Sequence, residues 1–126
     1  MKVLLDTHAL VWAAVLPARL SARVREVLED LDNDIVVSAV AAYEIEFKRE
    51  RDPFLIAMPG DLENALVQRG FTWLAITSAH ASCAGRLPRL HGDPFDRLLV
   101  AQALSEGLPL ISIDQKLPAY GASIIW

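Results

Sequence analysis

Apolar residues run along this chain in short blocks, and the blocks end on or lead to acidic side chains. Val3-Leu4-Leu5 is closed by Asp6, and Ile35-Val36-Val37 lies one helix-length before Glu44. Asp93 and Asp96 open the stretch Leu98 to Leu104, and Leu110-Ile111-Ser112-Ile113 is followed by Asp114. Blocks this short and fully apolar read as strands buried on both faces. They predict strands at Val3–Leu5, Ile35–Val37, Phe71–Ile76 and Leu110–Ile113, with an edge strand at Ser123–Trp126.

Between them the spacing turns helical. Thr7–Leu16 ends at Pro17, and Ser21–Leu31 carries Val24, Val27, Leu28 and Leu31 as an apolar stripe. Ser38 is an N-cap for a helix to about Glu50, on which Val40, Tyr43 and Phe47 form the expected core stripe. Arg51–Gly60 holds two prolines and reads as an unusually apolar loop around Phe54-Leu55-Ile56. Asp61 caps a helix that Gly70 ends, with Leu62, Ala65 and Leu66 inward; Thr77 or Ser78 caps another to Leu87. After a loop at Pro88–Gly92, Asp93-Pro94 starts a helix terminated by Gly107 and Pro109. Strands alternating with helices predict a three-layer α/β/α sandwich with a mostly parallel central sheet, as a single domain over residues 1–126.

Composition narrows the picture. A hydrophobic content of 53% suggests a core on both faces of the sheet and a further apolar surface for a partner. A net charge of −4 argues against a simple basic nucleic-acid coat, yet an acidic metal pocket would account for much of that balance. Cys83 is alone, so neither a disulfide framework nor a thiolate zinc site is expected. Asp6 and His8 interrupt the apolar N-terminus, and no segment approaches the length of a membrane span, so a cytoplasmic protein without membrane association is expected.

In a parallel sheet the carboxyl ends of the strands face one crevice. Two carboxylates about 4 Å apart repel by roughly 4 kcal/mol at an effective dielectric of about 20, so a cluster protonates, splays or holds a cation. An all-oxygen set suits Mg²⁺ or Mn²⁺. Each acid also has a bland role. Asp6 and Asp93 fit helix N-caps, Asp96 fits the N3 position where a carboxylate complements the helix dipole, and Asp114 could cap Gln115–Ala119. Glu44 and Glu46 flank their helix stripe on opposite sides, and spacing does not choose between them. His8, His80 and His91 show no paired spacing and are expected to be surface or hydrogen-bonded residues. Trp12, Trp73 and Trp126 read as core or interface aromatics.

Four ordered segments resemble the motifs of the PIN-domain family, and within it the VapC-type ribonuclease toxins of toxin–antitoxin pairs. They are Val3–Leu10, Ser38–Ile45, His91–Ala103 and Leu110–Asp114, and together they span essentially the whole chain. The resemblance selects Glu44 over Glu46. Ala41 stands where relatives often carry a hydroxyl, and Ser112 where many carry threonine. It implies a Mg²⁺- or Mn²⁺-dependent endoribonuclease with Asp6, Glu44, Asp96 and Asp114 as metal ligands and Asp93 as a further catalytic carboxylate. It also implies hydrolysis by metal-activated water, homodimerisation, and inhibition by a VapB-type antitoxin whose apolar segment covers residues such as Phe54, Leu55 and Ile56.

Other functions share parts of this pattern. A PIN nuclease of RNA maturation would carry the same acids. A receiver-like signalling domain would need paired acids after the first strand and a phospho-acceptor near the middle of the chain, but Thr7 follows Asp6 and Pro53–Met58 has no acid. Arg49, Arg51, Arg86 and Arg89 are candidates for RNA contact, although most of them read first as solvated surface charge.

Overall fold

The structure is a computed structural model describing residues 1–126. Five parallel strands form one sheet in the order β3-β2-β1-β4-β5: β1 Lys2–Leu5, β2 Asp34–Ser38, β3 Thr72–Leu74, β4 Leu110–Ile111 and β5 Ile124–Ile125. The strand order reverses between β1 and β4, so β1 and β4 flank the crevice at the carboxyl edge. Every strand pair is parallel, and both faces are covered. One core is built around Val3, Leu5, Leu10, Val37 and Ile45, and the other around Leu4, Val36, Leu99, Val100 and Leu110. Alternation within β1 explains the split, since Val3 and Leu5 point to one face and Leu4 to the other.

The helices are α1 Thr7–Val15, α2 Ala22–Glu29, α3 Ala39–Lys48, α4 Pro53–Ile56, α5 Leu62–Gln68, α6 Ser78–Arg86 and α7 Pro94–Glu106. Their starts follow local chemistry. The side chains of Asp6, Ser21, Ser38, Asp61, Thr77 and Asp93 each accept a backbone N–H from the first turn. Gly107 ends α7 in the left-handed region at φ 66°, where its N–H reaches back to Ala103 and Leu104.

Four expectations are corrected. The apolar loop holds the short helix α4, because Asp52 caps it and Pro53 occupies its first position, while Leu55 and Met58 are buried beneath. Helix α2 stops at Glu29, and Leu31 swings out fully exposed because Asp30 and Asp32 close a turn instead. Strands β3 and β4 are shorter than their apolar runs, so Ile76 and Ile113 are exposed. On α3 the buried face is Val40, Ala41, Glu44 and Ile45, and Tyr43 and Phe47 face solvent. The stripe is rotated because α3 packs between α1 and α7, and the close approach selects small residues.

Candidate metal centre

Asp6 follows β1 directly and is held from both sides. Its Oδ1 accepts the Ala9 N–H at 2.7 Å, and its backbone N–H donates to Ile111 on β4 at 3.0 Å. Burial pushes its carboxyl above the usual 3.8. The Ser112 hydroxyl, the Ala9 N–H and His8 act against that rise, and Glu44 adds to it. Glu44 is buried on α3, with Oε2 2.6 Å from the Lys48 ammonium one helical turn on. The Thr7 hydroxyl is buried without a hydrogen-bond partner, and Thr7 lines a cavity of about 110 Å³ together with Glu44 and Lys48.

At the other side of the crevice, Asp93 and Asp96 stand at the start of α7. Asp93 Oδ1 accepts from the N–H groups of Phe95 and Asp96 at 2.8 and 3.4 Å, leaving Oδ2 without a protein donor. Asp96 is pushed up to about 6, first by desolvation and then by Asp93, with Glu44 and Asp6 contributing and His91 opposing. The effect of Glu44 on Asp6, and of both on Asp96, shows that these carboxylates share one electrostatic environment. Asp114 follows β4, accepts the Lys116 N–H at 2.9 Å on Oδ1, and turns Oδ2 inward. It caps the turn as expected while keeping one oxygen for the crevice.

His91 was not foreseen at this site. Its Nε2 lies 3.0 Å from Asp114 Oδ2 and 3.2 Å from Asp96 Oδ2, and the ligand atoms of these three residues fall within 4.8 Å of one another. Its Nδ1 accepts the Asp93 N–H at 3.1 Å, which places the ring proton on Nε2, facing both carboxylates. The histidine thus bridges two acids where a cation is expected. No spacing rule exposes this, because the partners come from a loop, a helix start and a strand end.

Underneath, a buried polar chain locks the helices that carry the acids. The Ser38 hydroxyl donates to Gln102 Oε1, and Gln102 Nε2 reaches Ala75 O at 3.2 Å and His80 Nδ1 at 3.3 Å. His80 Nε2 meets Glu106 at 2.7 Å. Nearby guanidiniums are engaged in the scaffold. Arg97 binds the carbonyls of Ala84, Leu87 and Pro88, and Arg49, a candidate for RNA contact, binds those of Leu55, Met58 and Pro59 as well as Glu46. Of the tryptophans, Trp12 meets Trp126 edge-on at 5.7 Å, and all three are partly buried against the first core. No helix is long and apolar enough to cross a membrane.

A family model described as PIN domain matches residues 3–122. The chain is 30% identical over 119 residues to Ribonuclease VapC22 of Mycobacterium tuberculosis, covering 94% of this chain and 91% of that protein. Among solved structures, VapBC2 from Rickettsia felis bound to a promoter DNA fragment superposes with a TM-score of 0.71 at 14% identity, covering 100% of this chain and 99% of that one. VapBC from Salmonella typhimurium, also DNA-bound, superposes with a TM-score of 0.67 at 17% identity, covering 99% and 97%. At those identities the two structures speak for the fold.

Proposed function

This chain belongs to the PIN-domain family, and from that premise we propose that it is a divalent-metal-dependent endoribonuclease, the toxin of a VapBC-type toxin–antitoxin pair. What supports this reading is that Asp6 and Asp96 are both pushed upward in pKa, first by burial and then by neighbouring carboxylates among Asp6, Glu44 and Asp93, and that His91 joins Asp96 to Asp114. Carboxylates raised by burial and by one another are the signature of an anionic pocket that a cation would relieve.

The donor chemistry fits Mg²⁺ or Mn²⁺. Asp6, Glu44, Asp96 and Asp114 offer only oxygen, and the orphaned Thr7 hydroxyl stands beside the Glu44 side of the pocket. When bound, the ion supplies positive charge to the phosphodiester and activates water for its hydrolysis. The protein's own groups hold the geometry. The Ala9 N–H and the β4 pairing fix Asp6, and Lys48 steadies Glu44. Asp93 anchors the start of α7 through Oδ1, so that Oδ2 is free to orient the attacking water and accept its proton. Attack by water rather than by the ribose 2′-hydroxyl leaves a 5′-phosphate and a 3′-hydroxyl.

The relative's ribonuclease name supports RNA as substrate, and the VapBC complexes among the fold neighbours support a VapB-type antitoxin as partner. Homodimerisation and a cytoplasmic setting complete the proposal. Purified protein should cut RNA with Mg²⁺ or Mn²⁺, leave 5′-phosphate ends and stop in EDTA. Robust cleavage in EDTA would overturn the metal mechanism. Expressed alone it should arrest bacterial growth, and an upstream-encoded partner should restore it; unimpaired growth with active soluble protein would favour RNA maturation.

A further inference from the structure

Beside the acidic crevice lies a group of aromatic rings of which only Phe95 packs, partly buried, against the second core. Tyr43 and Phe47 on α3 are 62% and 65% exposed and stack at 5.9 Å with their planes 10° apart. Phe95, in the first turn of α7, approaches them at 5.7 and 6.5 Å. Lys48 connects these rings to the site. Its ammonium lies 2.6 Å from Glu44 and 5.3 Å from the Phe95 ring centre, and it is the only lysine or arginine paired with a carboxylate of the crevice.

With a net charge of −4, and with Arg49 and Arg97 bound to carbonyls, the protein offers no continuous basic coat beside the crevice. An interaction indifferent to net charge suits such a surface, and base stacking on aromatic rings is one, contributing about five- to 150-fold per base. A second copy of the chain is the weaker occupant. The rings present on the order of 300 Å², against about 800 Å² that each partner buries in a stable complex.

We propose that Tyr43, Phe47, Phe95 and Lys48 form a subsite for an unpaired nucleotide next to the scissile bond, its base stacked on the rings and its phosphate on the Lys48 ammonium. The inference rests on the ribonuclease reading and adds the requirement for single-stranded RNA at that position. Lys48 has the reach for this role, since its flexible stem leaves the head group half-exposed at the rim, between Glu44 and solvent.

The test measures binding of a fluorescent single-stranded RNA decamer, and of the same sequence as a duplex, with Mg²⁺ in an Asp6→Asn background that blocks cleavage. Combined Tyr43→Ala and Phe47→Ala should weaken single-strand binding about tenfold or more and duplex binding less than about twofold. Melting temperature should barely move, because both rings face solvent. Lys48→Met should reduce the slope of log affinity against log salt by about 0.7, the share of one phosphate contact, and Lys48→Arg should retain it. Undiminished single-strand binding by the double variant, while the Asp6-containing protein still cuts RNA, would remove the subsite and leave the nuclease reading intact. Conversion of a dimer to a monomer in sedimentation with RNA affinity per protomer unchanged would instead assign the rings to contact between two copies. Failure of the Asp6-containing protein to cut any RNA would overturn both readings.

Discussion

His91 Nε2 sits 3.0 Å from Asp114 Oδ2, and through that contact a loop before α7 is tied to the end of β4. The same N–H lies 3.2 Å from Asp96, so one proton donor serves two carboxylates that otherwise repel. His91→Ala should therefore destabilise the metal-free protein by about 1–2 kcal/mol. Saturating Mg²⁺ should remove most of that loss, because the ion and the histidine answer the same repulsion. Melting curves in EDTA and in Mg²⁺ decide it, and an equal loss in both would show that His91 acts only as packing.

The value of about 6 for Asp96 sets a pH window. Its unfolded value is near 3.8, so in the metal-free protein the folded state binds a proton that the unfolded chain releases between about pH 4 and 6. The penalty of the charged form is full above about pH 6, shrinks as pH falls, and is gone below about 4. In EDTA, Asp96→Asn should thus be more stable than wild type at pH 7, by on the order of 1–2 kcal/mol after allowance for solvent screening. That advantage should vanish near pH 4. Asp6, Glu44 and Asp93 raise Asp96 and His91 opposes them, so the comparison is made against wild type at each pH. A difference independent of pH would sink the assignment.

The two acids at the start of α7 separate by charge removal. Asp93→Asn preserves an acceptor for the Phe95 and Asp96 N–H groups, so its melting temperature should be nearly unchanged and its turnover moderately reduced. Asp96→Asn should lower RNA cleavage about 100-fold or more without loss of fold. Initial rates and melting curves for both variants check this, and a dead Asp93→Asn beside a normal Asp96→Asn would reverse the roles.

Gln102 is fully buried and joins Ser38, Ala75 and His80. Gln102→Leu would leave the Ser38 hydroxyl without its acceptor and the Ala75 carbonyl without its donor, each costing about 1–3 kcal/mol, while His80 Nδ1 keeps the Thr77 N–H. Denaturant unfolding should show a loss of about 2–4 kcal/mol, and a neutral result would mean that water takes over the network.

The sequence was most legible where one residue carried a local rule. Asp6 after an apolar run, Asp93 before Pro94 and Gly107 after a helical stripe each specified an element boundary on their own. Legibility failed where tertiary packing chose between faces. Tyr43 and Phe47 have the right spacing for a core stripe, yet the close approach of α1 and α7 to α3 favours Val40, Ala41 and Ile45 inside. The short helix α4 was hidden because its prolines and apolar residues read as a loop, although Asp52-Pro53 repeats the cap signal of Asp93-Pro94. His91 could not be placed at all, since its contact with Asp114 arises only when the loop before α7 folds onto the end of β4.

The acids that meet at the crevice enter the chain far apart, with Asp6 and Glu44 in its first half and Asp96 and Asp114 near its end. Asp114 is positioned only once β4 has paired between β1 and β5. A sheet in which only β1 and β2 have paired therefore does not yet bring Asp114 to the other acids. The acidic crevice is thus a property of the assembled sheet rather than of any one segment, and a fragment that lacks β4 would lack it however well the rest is paired.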